Sequence, residues 1–157
     1  VITAYRRPRQ TVKQTSTFYD QQYAMLLAEG HKKPNVRKHF ITSLIKIVHK
    51  LIEQDHKVIV NLDANEIIGQ DKNFGIQTLM DSCELGDLHS VVPGEVPKTY
   101  KYGYEQRIDY MLGTSGVLKQ VMKAGMLAFD DGIFSKHRGL FVEIQQQGTA
   151  RDYPRFY

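Results

Sequence analysis

Three short segments of the chain carry residue types that could do chemistry: residues 61–66 (NLDANE), 107–110 (RIDY) and 135–139 (SKHRG). In the first, Asp63 and Asn65 lie two positions apart, directly after an apolar run. A strand that opens into a loop at this point would aim both side chains at one site, since α/β folds bind ligands beyond the ends of their strands. The alternative is an Asx turn with a helix cap, which Asp and Asn also favour.

The other two segments each contain a titratable side chain in an unusual setting. Asp109 interrupts a run that otherwise reads as a strand, where a charged residue is disfavoured and would need a partner if buried. The alternative is an outward-facing carboxylate paired with a lysine. His137 lies between Lys136 and Arg138, which oppose protonation of the ring unless a carboxylate lies beside it. Taken alone, it is typical of a surface-loop histidine.

Composition sets broad limits on the class of protein. The chain has 157 residues, of which 41% are apolar and 24% charged, which indicates one globular domain or part of a larger one. No apolar run approaches the roughly 20 residues that a transmembrane helix needs. The single cysteine, Cys83, excludes an intrachain disulfide and a zinc site built on several cysteines. We therefore expect a buried, structural Cys83 and an intracellular protein.

Positive charge is concentrated at the start of the chain. Residues 1–40 contain eight Lys or Arg residues and two acidic residues, a net charge of +6, whereas the whole chain carries +4. A basic arm on a near-neutral body suits a polyanionic partner such as nucleic acid. We assign phosphate contacts to Arg6, Arg7 and Arg9 of this arm and to Arg107. The alternative is a solvated surface that only favours solubility.

Hydrophobic patterning predicts an α/β chain, because strands alternate with helices. The clearest helix covers residues 36–54, where apolar residues recur with the 3.6-residue period and Asn35 suits the N-cap. The apolar run 57–62 predicts a strand buried on both faces. Residues 6–34 are expected to form a long loop with a helical turn near 19–27. The other expected strands are 1–5, 107–112, 126–129 and 139–146, and the other expected helices are 76–85 and 117–123.

Taken in this order, the three segments resemble the endonuclease/exonuclease/phosphatase superfamily, which has the DNase I-like fold. Its usual motifs are Gly-Asp-x-Asn, Arg-Ile/Leu-Asp-Tyr and Ser-Asp-His, and residues 3–5 (TAY) look like its strand that ends in a tyrosine at the active site. Within this superfamily, the motifs look similar to those of apurinic/apyrimidinic endonucleases and of retroelement endonuclease domains. The resemblance implies the second half of a four-layer α/β sandwich, with residues 1–147 as a partial domain and 148–157 as a tail.

The resemblance also implies hydrolysis of phosphodiesters with Mg²⁺ or Mn²⁺ as cofactor. Asp63 would orient or deprotonate the attacking water, and Asn65 would hold a phosphate oxygen or Asp63 itself. His137 would donate a hydrogen bond to the phosphate, with Asp109 fixing its orientation and charge. Tyr5 would lie over the phosphate or the leaving group. The implied partner is nucleic acid, DNA before RNA, without a membrane.

Two departures from the motifs bear on activity. The glutamate that binds the metal in the family lies in the first half of its fold, outside this chain, and Lys136 occupies the position of the family aspartate. Metal ligands are therefore unassigned, and we expect little or no activity from this chain alone. The sheet face opposite the helices would be a bare apolar patch unless the missing half or a partner covers it. The alternatives are a catalytically impaired nucleic-acid-binding remnant and a phosphatase of the same fold.

Overall fold

The computed structural model describes residues 1–8, 18–91, 93, 98–102, 106–129, 131 and 135–145. Arg9 and the expected tail, 148–157, lie outside the described residues. Helices and strands alternate along the chain, in agreement with an α/β fold. The elements are β1 (Ile2–Tyr5), α1 (Phe18–Ala28), α2 (Val36–Glu53), β2 (Ile59–Asp63), α3 (Ile76–Cys83), β3 (Gly86–Asp87), β4 (Asp109–Gly113), α4 (Ser115–Leu118), β5 (Val121–Met126) and β6 (Leu140–Ile144).

The strands form two sheets. The main sheet has the order β1-β2-β4-β3, with β1 parallel to β2 and β4 antiparallel to both of its neighbours. The strands β5 and β6 form a separate antiparallel pair.

The core lies between one face of the main sheet and the helices α2 and α3. The helix α2 buries the stripe Ile41, Leu44 and Val48 against the sheet, and the side chain of Asn35 accepts a hydrogen bond from the backbone N–H of Lys38 at 3.0 Å. This confirms the predicted helix and its cap. Cys83 is buried in the same core, as predicted, and burial raises its pKa to about 11.

The strand β2 is buried on one face only, which corrects the prediction of burial on both. Val60 and Leu62 point into the core, whereas Asn61 and Asp63 alternate to the opposite face and are half-buried. That opposite face is more polar than expected, since the side chains of Thr3, Asn61 and Asp63 occupy it. The expected apolar patch is therefore replaced by a mixed surface.

The largest difference from the predicted elements lies between residues 115 and 126. The sequence predicts a helix over 117–123 and a strand over 126–129, but the helix α4 ends at Leu118 and the strand β5 covers Val121–Met126. Pairing with β6 decides the outcome: Val121 lies opposite Ile144 and Met126 opposite Leu140. Tertiary pairing has overridden a weak local preference.

No helix among the described residues combines the length and the hydropathy that a membrane span requires. The longest of them, α2, is amphipathic rather than apolar all round.

Candidate active site

Three of the predicted site residues form a row across the end of the main sheet. Tyr5 at the end of β1 lies opposite Asp63 at the end of β2, and Asp63 lies opposite Asp109 at the start of β4. All three belong to the face turned away from the helices, because their neighbours in each strand point into the core. Strand register alone therefore places two carboxylates and a phenol side by side.

His137 joins this row from the segment that precedes β6. Its Nδ1 lies 3.1 and 3.0 Å from the two carboxylate oxygens of Asp109. Because Asp109 accepts the hydrogen bond, Nδ1 carries the ring proton and Nε2 is the nitrogen available to another group. The structure thus brings together Asp63, Asp109 and His137, as the order of the motifs predicts, and their catalytic roles stay a proposal.

Two residues that the sequence analysis did not assign hold Asp109 and His137 in place. The buried hydroxyl of Thr99 accepts hydrogen bonds from the backbone N–H groups of Ile108 and Asp109, at 3.0 and 3.1 Å. Tyr100 forms an isolated β-bridge with His137, and the two ring centroids lie 5.0 Å apart. The signal for them in the sequence is the Thr-Tyr pair that precedes Arg107.

Asn65 lies immediately behind Asp63. Its side-chain amide donates to Oδ1 of Asp63 at 3.0 Å and to the backbone carbonyl of Arg6 at 2.8 Å. The backbone φ of Asn65 is 49°, in the left-handed region that asparagine tolerates better than most residues. This conformation turns the chain sharply after β2 and aims the amide back at Asp63.

The electrostatics of the row raise the pKa of Asp63. Burial and, to a smaller extent, the negative charge of Asp109 raise it to about 6, against opposing contributions from His137 and the hydrogen bond of Asn65. A carboxyl group that titrates near neutral pH is suited to accept a proton from water.

The donor set fits a divalent cation. One ligand atom each from Asp63, Asp109 and His137 lies within 4.8 Å of the others, close enough to hold one ion. The two carboxylates suit Mg²⁺ or Mn²⁺ better than a soft metal, because they are oxygen ligands. A cation there would also relieve the repulsion between the two carboxylates.

The cluster opens onto a cleft of about 510 Å³. Tyr5 stands at its rim with 54% of its surface exposed. The remaining walls come from both sheets, and the residues lining the cleft include Thr3, Asn61, Met111, Arg138 and Leu140.

The structure corrects the expected basic surface at two positions. Arg6 is 1% exposed, and its guanidinium forms an ion pair with Glu66 rather than facing solvent. Arg107 donates both terminal nitrogens to the buried carboxylate of Asp87, one at 2.9 Å. Burial alone would raise the pKa of Asp87, but the ion pair with Arg107 lowers it overall. Both arginines are internal partners of carboxylates, which sequence cannot distinguish from exposed cations.

Besides Arg138, which lines the cleft, Arg7 and Lys136 are basic side chains that remain at least partly accessible. Arg7 is half-buried, with its guanidinium 5.1 Å from the ring centroid of Phe18. Lys136 is exposed, and its ammonium lies 5.4 Å from the ring centroid of Tyr102. Lys136 therefore contacts an aromatic face next to the site, while its neighbour His137 contacts Asp109.

No family model and no curated protein matches the sequence. Among solved structures, the 3′ phosphatase NExo from Neisseria, bound to a product DNA hairpin, is similar over 69% of this chain, with 13% identity and a TM-score of 0.54. The endonuclease domain of TRAS1, a telomere-specific non-LTR retrotransposon, is similar over 69% with 21% identity and a TM-score of 0.51.

These matches cover 52% and 53% of the two solved chains, so this chain spans about half the length of either. Both are structures of the endonuclease/exonuclease/phosphatase superfamily. The described fold therefore resembles part of the DNase I-like fold, as the motifs predict.

Proposed function

We propose that this chain carries part of the active site of a divalent-metal-dependent phosphoester hydrolase that acts on nucleic acid. The observation that carries the proposal is the convergence of Asp63, Asp109 and His137 within 4.8 Å at one edge of the sheet. Residues that span 75 positions of sequence meet there around an open cleft. A purely structural role would not require two carboxylates side by side on an open face.

The chemistry follows from the surroundings of each side chain. The carboxylates of Asp63 and Asp109 would hold Mg²⁺ or Mn²⁺, which supplies positive charge to stabilise the transition state of phosphoryl transfer. Asp63 would orient the attacking water or accept its proton. Asp109 would orient the ring of His137 through Nδ1, and His137 would donate a hydrogen bond from Nε2 to a phosphate oxygen. Tyr5, at the rim of the cleft, orients the leaving group.

The proposed substrate is DNA. The basic stretch at the start of the chain, of which Arg7 is described and accessible, follows Tyr5 directly and suits a phosphate backbone. Of the two similar structures, one is bound to a DNA hairpin and the other is an endonuclease domain. An endonuclease cleaves a diester, whereas a 3′ phosphatase removes a terminal monoester, and the latter is our second candidate because one similar structure has that activity.

A segment outside the chain would complete the site. This chain spans about half the length of the similar structures, and the resemblance places a metal-binding glutamate in the other part. We therefore propose that a further polypeptide segment supplies this ligand and covers the open sheet face. A nucleic-acid-binding remnant without catalysis is the third candidate, since it needs no such segment.

Hydrolysis assays separate the three candidates. The chain alone and the chain extended through the coding sequence before Val1 are incubated with plasmid DNA and with a duplex that ends in a 3′ phosphate, in Mg²⁺, Mn²⁺ or chelator. We expect metal-dependent nicking of plasmid by the extended chain and little by the chain alone. Release of phosphate without nicking would favour the phosphatase.

The matched controls are His137→Ala and His56→Ala, since His56 is exposed and precedes β2, at the end of the strand opposite to Asp63. Only His137→Ala should abolish hydrolysis. DNA binding by an extended chain that hydrolyses neither substrate with any divalent cation would favour the remnant.

A further inference from the structure

A buried ionic cluster lies directly behind the candidate active site, and the proposed hydrolysis does not use it. Its centre is the carboxylate of Glu66, three residues after Asp63, with 2% of the side chain exposed. One carboxylate oxygen accepts hydrogen bonds from the guanidinium groups of Arg6 and Arg37, the latter at 2.7 Å. The other accepts from the backbone N–H of Ile76 at 2.6 Å. The cluster therefore joins β1, the loop after β2 and the helices α2 and α3.

The backbone is shaped to admit this carboxylate. A Cβ atom at Gly75 would lie 2.5 Å from Oε1 of Glu66, so only glycine lets the carboxylate approach the first turn of α3 so closely. Arg6 also donates to the backbone carbonyl of Phe74. Two arginines and a helix N-terminus on one buried carboxylate satisfy its lone pairs and offset the cost of removing it from water.

Arg6 links the cluster to the active site through three successive contacts. Its backbone N–H donates to the carbonyl of Asp63 at 2.7 Å, and its own carbonyl accepts from the side chain of Asn65 at 2.8 Å. Its guanidinium binds Glu66, the residue that follows Asn65. Asn65 is thus held from both sides in its left-handed conformation, which an isolated chain would adopt only at a cost.

We infer that Arg6, Glu66 and Arg37 form a positioning cluster that fixes Asn65 and, through it, the carboxylate of Asp63. The inference rests on the proposed function in one respect, namely that Asp63 binds a divalent cation. Removing a group that orients a metal ligand typically weakens metal binding by about 10- to 100-fold. A cluster that served folding alone would change stability and leave binding by the folded protein unchanged.

The test compares Glu66→Gln, Arg37→Met and Val48→Ala in the full chain. Val48 is buried in the core, so Val48→Ala lowers stability without touching the cluster. Two properties are measured under conditions where each variant is folded: hydrogen exchange of the Asn65 side-chain amide and Mn²⁺ affinity, both by NMR. Arg37→Met keeps the Arg6–Glu66 pair and provides a second variant if Glu66→Gln does not fold.

We expect Glu66→Gln to speed exchange of the Asn65 amide at least about tenfold and to weaken Mn²⁺ binding by about 10- to 100-fold. Arg37→Met should shift both in the same direction by less, and Val48→Ala should shift neither. The inference is overturned if the cluster variants leave both properties unchanged, or if Val48→Ala changes them equally. If the parent chain alone does not bind Mn²⁺, exchange of the Asn65 amide decides the inference, and hydrolysis by the extended chain decides the proposed function.

Discussion

Asp63 and Asp109 lie directly opposite each other in the antiparallel pair β2–β4, on the same face and at the same end of the sheet. Like charges at opposed positions destabilise a sheet. Two residues outside the strands offset the repulsion between these carboxylates: the Asn65 amide donates to Asp63, and the His137 ring donates to Asp109. An unfavourable pair of like charges that is kept in place by specific hydrogen-bond partners is typical of a functional site.

Replacing Asp63 should separate stability from function. The pKa of Asp63 rises from its ordinary value of 3.8 to about 6 in the folded chain, so the folded state binds more protons between about pH 4 and pH 6. The contribution of Asp63 to stability is therefore greatest below pH 4 and is lost as the pH rises through 6. Asp63→Asn should raise stability at pH 7.5 by about 1–2 kcal/mol and should have little effect at pH 4.

Urea denaturation in chelator at the two pH values measures this difference. Glu53→Gln, at an exposed carboxylate near the end of α2, is the matched control and should change little at either pH. If Asp63→Asn is less stable than the parent chain at pH 7.5, the ionised Asp63 carboxylate does not destabilise the folded state.

The tautomer of His137 should depend on Asp109. In the parent chain the neutral ring should carry its proton on Nδ1, because the Asp109 carboxylate accepts from that nitrogen. In Asp109→Asn the Nε2–H form should become substantially populated. Long-range ¹H–¹⁵N spectra of the ring distinguish the two forms. A neutral parent ring whose single proton is on Nε2 instead of Nδ1 would contradict the His137–Asp109 hydrogen bond on which the proposed role of His137 rests.

Arg107 should contribute to the stability of the fold rather than to DNA binding. Arg107→Gln leaves the buried carboxylate of Asp87 without its main partner, which should cost about 3–5 kcal/mol. Adding Asp87→Asn should recover part of that loss, since no buried charge then remains. Denaturation curves give the stabilities, and fluorescence anisotropy gives DNA affinity of the folded variant. Weaker DNA binding at unchanged stability would restore the original assignment of Arg107 to phosphate contact.

Arg7 should contribute to the salt dependence of DNA binding. A phosphate contact releases condensed counterions, so Arg7→Gln should lower the slope of log affinity against log salt by about one. Lys119→Gln, at an exposed position beside α4, should leave the slope unchanged. Equal slopes for Arg7→Gln and the parent chain would place Arg7 among residues that serve solubility only.

The sequence predicts the elements whose patterns are local and strong. The helix α2 follows from one apolar stripe and an asparagine cap, and the row at the sheet end follows from motifs that each sit where a strand begins or ends. The strand β6 lies within the predicted strand 139–146, but β5 escapes prediction because Val121–Met126 is stabilised by pairing with β6 near the end of the described chain. Such pairing leaves no periodic trace in residues 121–126.

The buried ion pairs also could not be predicted from the sequence. Arg6 and Glu66 are 60 positions apart, and Arg107 and Asp87 are 20 apart. Nothing in a run such as Tyr5-Arg6-Arg7 shows that the first arginine points inward and the second outward. The direction of each arginine follows from the alternation of side chains at the end of β1, and the end of that strand is known only from the fold.

The central claim is that Asp63 and Asp109 hold one divalent cation beside His137, and Mn²⁺ titration observed by NMR tests it most directly. Paramagnetic broadening should appear first at these three residues, should be reversed by excess Mg²⁺ or chelator, and should disappear in Asp63→Asn while persisting in Glu53→Gln. Broadening that begins at exposed carboxylates such as Glu53, or that is equal in the parent chain and Asp63→Asn, would contradict the account.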